Sequence, residues 1–280
     1  MKQLFDDVSH NCSKLVTQSY STSFSLAVKM LSPKIRAAIY NIYGFVRFAD
    51  EIVDSFHDYD KNVLLQEFED DYYKAVKNKI SLNPILNSFQ QTVIKYQIPN
   101  ELVAAFLKSM KFDLHKTVYA TKKEYDAYIY GSADVVGLMC LKVFVNGNDK
   151  MYDDLKEPAM KLGSAFQKVN FLRDLKEDFQ ILNRSYFPNI DLGSLNNESK
   201  AFIIDEIEND FEEAFQNGIL KLPVEAKFGV YMAYRYYRRL LKKLKEVPSS
   251  QIMDSRVRIS NPMKINLLAR SYVKYKLNLI

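Results

Sequence analysis

An all-α protein is predicted by three features of this sequence. Apolar residues recur at helical spacing along most of its length, strand-type alternation nowhere persists, and the residues that interrupt helices are scarce. Only 8 Gly and 8 Pro are spread over 280 residues, and both types destabilise helix interiors. With 48% hydrophobic and 26% charged residues, the chain can bury one large core. No Gly/Ser- or Pro-rich linker divides it, so a single all-helical domain over residues 1–280 is expected.

Taken in order, the segment Asn11 to Lys29 carries Leu15, Phe24, Leu26 and Val28 around a Ser/Thr cluster from Ser19 to Ser25. Pro33 suits the first turn of a helix, where its missing N–H is not needed. Ile35, Ile39, Ile42, Phe45 and Val46 then supply that helix with an apolar stripe. Further helices are predicted over Val63 to Asn78, Asn83 to Gln97 and Asn100 to Leu114, with Pro84 and Pro99 marking starts and Asn100 read as an N-cap. The stretch Lys122 to Val145, the segment Asp153 to Asp178, and long helices over Ser199 to Asn217 and Val224 to Lys245 complete the set. Between Ile181 and Asn197 the sequence turns loop-like, with Pro188 and Gly193 as breakers.

Composition narrows the function classes. Cys12 and Cys140 form neither a metal spacing nor a disulfide framework, which fits a reducing cytoplasm. No apolar run approaches the ~20 residues needed to span a bilayer, and the first residues lack the apolar stretch of a signal peptide, so a soluble protein is expected. A formal net charge of +5 is mild and dispersed, and no nucleic-acid recognition motif is present. The densest basic run, Arg235 to Lys245, suits either the solvated face of a helix or an anionic membrane or diphosphate. His10, His57 and His115 stand apart and form no metal spacing.

The chemistry is concentrated in two Asp-x-x-x-Asp motifs, Asp50 with Asp54 and Asp174 with Asp178. Residues four apart share a helix face, so each motif aims two carboxylates at one spot. Like charges so placed oppose helix formation unless a cation lies between them, and hard divalent ions take oxygen ligands of this kind. On the second helix Gln167, Asn170, Asp174 and Asp178 step by three, four and four, placing four oxygen-bearing side chains on one stripe of a segment otherwise rich in Leu, Val and Phe. Arg47 precedes Asp50 by three and Arg173 adjoins Asp174, so cations able to grip phosphate oxygens accompany both motifs. An acidic cavity for Mg²⁺ and a phosphorylated substrate is the reading with chemical content.

The stretch Arg36 to Asp54, the segment Tyr128 to Gly137, and Gln167 to Asp178 followed by Arg184 to Pro188 closely resemble the squalene and phytoene synthase family. The Ser/Thr cluster ending in Ser23 and Phe24, and the late Arg256, Arg258 and Lys264, fit the family's ends, so the resemblance covers essentially the whole chain. The segment from Gly131 to Cys140 looks most like bacterial phytoene synthases. The resemblance implies a single isoprenoid-synthase helical bundle around a central cavity, with diphosphate chemistry at one end and an apolar tunnel for isoprenoid tails below. The 18 Phe, 19 Tyr and 9 Met suit such a lining, although most of them are core residues in any case.

Carried over residue by residue, the resemblance implies Mg²⁺ or Mn²⁺ on Asp50, Asp54, Asn170, Asp174 and Asp178, and diphosphate on Ser21, Ser23, Arg47, Gln167, Asn170, Arg173, Tyr237, Arg256 and Lys264. Tyr43, Tyr128 and Tyr130 are candidate cavity tyrosines, and catalytic roles are expected for Tyr43 and Tyr130 together with the four aspartates. Tyr20 stands where some relatives carry a basic residue or His, and Asp134 where many carry a small one. The implied reaction is head-to-head condensation of two geranylgeranyl diphosphates to phytoene through a cyclopropyl diphosphate, in carotenoid biosynthesis. No NADPH is expected. A squalene or dehydrosqualene synthase acting on farnesyl diphosphate is the alternative, and a non-catalytic helical scaffold a more distant one. The partners expected are isoprenoid diphosphates and, loosely, the inner face of a membrane, with no nucleic acid. A monomer or weak dimer in the cytoplasm is expected.

Overall fold

The computed structural model describes residues 1–180, 184–188, 196–252 and 256–279, with backbone alone for 177–180 and 250. The described residues form twelve α-helices and no strand, with an isolated parallel bridge between Val118 and Ser185. In order the helices are α1 (Lys2–Tyr20), α2 (Thr22–Lys29), α3 (Pro33–Asp54), α4 (Lys61–Asn78), α5 (Pro84–Tyr96), α6 (Asn100–Asp113), α7 (Lys122–Ile129), α8 (Val135–Val145), α9 (Asp149–Gln180), α10 (Asn197–Glu213), α11 (Val224–Glu246) and α12 (Asn261–Lys276). A π-helical turn, Tyr130–Asp134, joins α7 to α8, and a second, Ala214–Gly218, follows α10.

Capping chemistry sets the boundaries, including those the sequence reading misplaces. Ser21 takes an extended backbone and its hydroxyl accepts from Phe24 N at 3.2 Å, so the segment from Asn11 to Lys29 is cut into two helices. The Asp60 carboxylate accepts from Asn62 N at 3.0 Å, starting α4 ahead of the predicted Val63. Asn148 does the same for Met151 N at 2.9 Å, and α9 begins at Asp149, before the predicted Asp153, with Pro158 inside it. Asn100 is not a cap: Pro99 holds that position, and the Asn100 side chain accepts from the Tyr72 hydroxyl at 3.2 Å. Helix α12 is absent from the sequence reading although Ser260 and Pro262 form an ordinary start signal for it.

Two apolar clusters make up the core. One centres on Phe45 of α3, whose ring stacks on Phe89 of α5 at 4.0 Å and packs against Phe68 of α4 at 5.3 Å. The other gathers around Phe171 of α9, stacked on Tyr186 at 4.0 Å, and takes in the buried faces of α10 and α11. Contacts at Gly163 show how closely α9 meets the π-turn, since a Cβ at that position would lie 2.9 Å from the Ala133 carbonyl oxygen.

The unbroken helical stretch Lys122–Val145 is long and apolar enough to cross a membrane by length and composition, contrary to the sequence reading. Within the bundle, 56% of its apolar window is buried, and it packs against α3, α6 and α9 as a core helix does. The basic run on α11 behaves as the face of a packed helix. Leu240, Leu241 and Leu244 point inward, Lys245 pairs with Glu208 at 3.0 Å, and Lys243 donates to the Arg258 carbonyl at 2.9 Å.

Candidate active site

Helix α3 sends Tyr43, Arg47, Asp50 and Asp54 along one face, because steps of four, three and four residues nearly complete whole turns. Helix α9 faces it with Gln167, Asn170 and Asp174, the stripe predicted from spacing. Between them lies a polar cavity of about 480 Å³, lined also by Arg47, Arg173, Arg256 and by Asp113, Tyr128 and Arg184. The side chain of Asp178 falls outside the described residues, so the second acidic motif is represented here by Asp174.

The cavity balances acids against arginines. Arg184 pairs with Asp54 at 2.8 Å and donates to the Asp113 carbonyl at 3.0 Å, and the Tyr128 hydroxyl donates to Asp113 Oδ2 at 2.8 Å. Asp174 is gripped by two guanidinium groups: Arg173 Nε donates to Oδ1 at 2.8 Å, and Arg256 Nε lies 2.8 Å from the same oxygen. Arg47 pairs with Glu51, and its guanidinium carbon sits 4.4 Å over the ring of Tyr20, an exposed residue outside the cavity lining. Tyr237 donates to Asn170 Oδ1 at 3.2 Å, joining α11 to the stripe on α9.

Asp50 forms no ion pair among the described residues, and its carboxyl is pushed up to about 8, by desolvation first and then by the Asp54 charge, with Arg47 opposing. Desolvation likewise lifts Asp113 to about 7 against Arg184 and Tyr128. Mutually unfavourable buried carboxylates are the setting that a bound divalent cation relieves, and their hard oxygen donors suit Mg²⁺. Among the described residues no three acidic, His or Cys side chains converge closely enough to hold a metal without adjustment.

An apolar cavity of about 270 Å³ adjoins the polar one, and Val46 and Ser132 line both. Phe24, Val28, Leu31 and Phe144 form part of its wall, as does Tyr43, whose ring stacks on Phe24 at 4.9 Å. Burial pushes the Tyr43 hydroxyl up to about 12, and Ser21 offers it a hydrogen bond that opposes the shift.

Several predicted residues lie elsewhere. Tyr130 is 42% exposed and lines neither cavity, which corrects its placement among the cavity residues. The π-turn inserts an extra residue at this point and turns Ser132 and Ala133 inward instead. Ser21 and Ser23 line neither cavity: Ser21 caps α2 and Ser23 is half-buried on it. Lys264 is buried and donates to Thr22 Oγ1, which brings α12 to the start of α2 and not to the polar lining. Conversely, spacing missed Asp113 and Arg184. Asp113 ends the buried α6 stripe of Val103, Phe106 and Met110, a carboxylate where an apolar residue is due, which is a signal in itself.

Fold and site together place the chain in the isoprenoid-synthase helical class. It belongs to the squalene/phytoene synthase family, whose profile matches residues 17–262. It is 28% identical over 200 residues to 4,4'-diapophytoene synthase of Staphylococcus haemolyticus, covering 70% of this chain and 66% of that one. It is 26% identical to 15-cis-phytoene synthase of Synechocystis, covering 92% and 83%. The chain thus spans just under two thirds of the staphylococcal relative. Among solved structures, a dehydrosqualene synthase in complex with ligand superposes with a TM-score of 0.83 at 22% identity, over 97% of this chain and 98% of that one. Squalene synthase HpnC from Alicyclobacillus acidocaldarius gives 0.73 at 20%, over 85% and 93%.

Proposed function

We propose that this protein is a phytoene synthase, joining two geranylgeranyl diphosphates head to head through a cyclopropyl diphosphate in carotenoid biosynthesis. The observation that carries this reading is the junction of the two cavities at Val46 and Ser132: an acid- and arginine-lined chamber suits a diphosphate, and the adjoining apolar one suits its isoprenoid tail. Asp50, Asp54, Asn170, Asp174 and Asp178 would hold Mg²⁺, which when bound supplies Lewis-acid stabilisation of the leaving diphosphate.

This chain's own residues do the rest. Arg47, Arg173 and Arg256 bind and orient diphosphate oxygens, and the donors around Asp174 are already directed into the chamber. The aromatic wall of Phe24 and Tyr43 keeps water from the allylic cation, and the ring faces stabilise its charge. The double bond of the second substrate attacks that cation, a second ionisation and rearrangement follow, and proton loss ends the sequence without NADPH. The hydrocarbon product favours lipid over water by ~0.8 kcal/mol per CH₂. Peripheral attachment to a membrane from the cytoplasm therefore belongs to the proposal, and Tyr272, Val273, Leu277 and Leu279 are exposed surface suited to it.

A second reading, dehydrosqualene synthesis from farnesyl diphosphate, is favoured by the likeness to the staphylococcal enzyme. Incubating the purified protein with Mg²⁺ and each diphosphate, with and without NADPH, and identifying the hydrocarbon by mass spectrometry separates the two. A C40 product independent of NADPH is expected. A C30 product from farnesyl diphosphate alone would replace the first reading by the second.

A further inference from the structure

A third pocket, of about 550 Å³, opens on the outer side of α3, away from both cavities of the site above. It follows from helix geometry. Pro33, Arg36, Ala37 and Tyr40 fall at i, i+3, i+4 and i+7 on one face of α3, and His10, Lys14 and Gln18 step by four along α1 opposite them. Lys29, at the end of α2, closes a third side.

Three properties of this pocket point to an anion. Its lining holds Lys14, Lys29 and Arg36 and no carboxylate, and none of the three makes an ion pair among the described residues. Arg36 is held in place by donating Nη2 to the carbonyls of Lys29 and Leu31, both at 2.8 Å, so its charge is fixed by neutral acceptors, while its buried Nε has no partner. Tyr40, only 3% exposed, lines the pocket, and its buried hydroxyl has no hydrogen-bond partner. A buried, unsatisfied hydroxyl is unfavourable by roughly 1–3 kcal/mol, which a ligand accepting its proton would recover. Burial raises the Tyr40 pKa against the opposing Arg36 charge, so the group is a donor at neutral pH. The start of α3 adds the positive end of a long helix dipole to the same corner.

We propose that the pocket between α1, α2 and α3 binds a phosphate group, with Tyr40, Arg36, Lys14 and Lys29 as its donors, as a site separate from the diphosphate chamber. A guanidinium held by two carbonyls, flanked by two ammonium groups and a hydroxyl donor, matches the tetrahedral oxygens of a phosphate monoester or phosphodiester. Such a group is carried either by a soluble phosphorylated molecule or by a phospholipid headgroup, and the shared chemistry makes both testable on one set of variants.

The test compares the full chain with Tyr40→Phe and with the double variant Lys14→Glu/Lys29→Glu. Binding of inorganic phosphate is measured by calorimetry, and co-sedimentation with vesicles of phosphatidylglycerol is measured against vesicles of phosphatidylcholine. Phe removes only the unsatisfied hydroxyl, so a purely structural Tyr40 predicts unchanged binding and an equal or higher melting temperature. The phosphate site predicts that Tyr40→Phe weakens binding about tenfold at an undiminished melting temperature, and that the double variant abolishes it. Turnover of prenyl diphosphate stays unchanged in both. Weakened phosphate binding identifies a soluble ligand, and weakened vesicle binding alone identifies a headgroup. Wild-type behaviour of both variants in both assays, or no binding by the wild type in either, overturns the proposal.

Discussion

Arg184 Nη1 lies 2.8 Å from Asp54 Oδ1, joining side chains 130 positions apart in sequence inside one polar chamber. The same guanidinium donates to the Asp113 carbonyl at 3.0 Å, so a residue only 5% exposed fastens the acidic end of α3 to the end of α6. Burial opposes its charge, but Tyr186, Asp113 and Asp54 more than compensate and hold it protonated. Its task is to offset part of the carboxylate charge that the chamber gathers.

Arg184→Ala therefore leaves a buried carbonyl and a carboxylate without their donor. Removing one partner of a buried pair costs 3–5 kcal/mol, and the partial exposure of Asp54 lowers the expectation to about 2–3 kcal/mol. Urea unfolding is the measurement. An unchanged midpoint would show that the pair contributes nothing to the fold.

Much of this was legible in the sequence, for reasons visible in particular residues. Asp50, Asp54, Arg47, Gln167, Asn170 and Asp174 line the polar cavity as expected because they sit on long, regular helices, where spacing translates directly into a shared face. Tyr130 failed because a π-turn breaks that translation, and nothing in Tyr-Gly-Ser-Ala-Asp announces a π-turn. Arg184 reaches the site from an irregular segment, where periodicity carries no information, and Asp113 has no second carboxylate on the buried face of α6 to form a spaced pair, its one signal being its place in an apolar stripe. The third pocket needed the structure, since α1 and α3 meet there only through packing.

Asp50 and Asp174 sit in different electrostatic settings, the first without an ion pair among the described residues and the second between Arg173 and Arg256. Either Asp50→Asn or Asp174→Ala is expected to lose at least ~10²-fold in turnover with the fold retained. Asp50→Asn should in addition melt at a higher temperature than the wild type at neutral pH when divalent ions are chelated, because folding no longer has to protonate a carboxyl that the buried site and Asp54 push up to about 8. Near-normal turnover in either variant would remove these carboxylates from the mechanism, and a lower melting temperature for Asp50→Asn would show that its carboxylate is compensated.

Arg256 approaches Asp174 through both Nε, at 2.8 Å, and Nη2, at 3.2 Å, and the Arg47 guanidinium carbon sits 4.4 Å over the Tyr20 ring. Lys at either place keeps the charge and loses the planar fork and the stacking face. Binding of diphosphate, followed by calorimetry with inorganic diphosphate and by KM, is expected to weaken about tenfold in each variant. Wild-type kinetics in both Lys variants would assign the two arginines to structural ion pairs alone.

Asp134 accepts from the Ser164 hydroxyl at 2.8 Å, and its carboxyl is pushed up to about 7 by desolvation, against Ser164, Lys168 and Lys161 and with Asp210 adding to the rise. The folded protein therefore holds this proton over a range where the unfolded chain, with an ordinary carboxylate near 3.8, has lost it. In that window the native state binds more protons than the unfolded state, so the contribution of Asp134 to stability falls as pH rises from about 4 to about 7 and is then constant. Asn keeps an acceptor for Ser164 and carries no charge at any pH. Relative to the wild type, Asp134→Asn should gain stability steadily between about pH 4 and pH 7 and hold that gain above it. Denaturant midpoints of the two proteins at a series of pH values give the difference directly, with the other carboxylates cancelling. A difference that does not change with pH would mean that Asp134 is as acidic in the folded protein as in the unfolded chain.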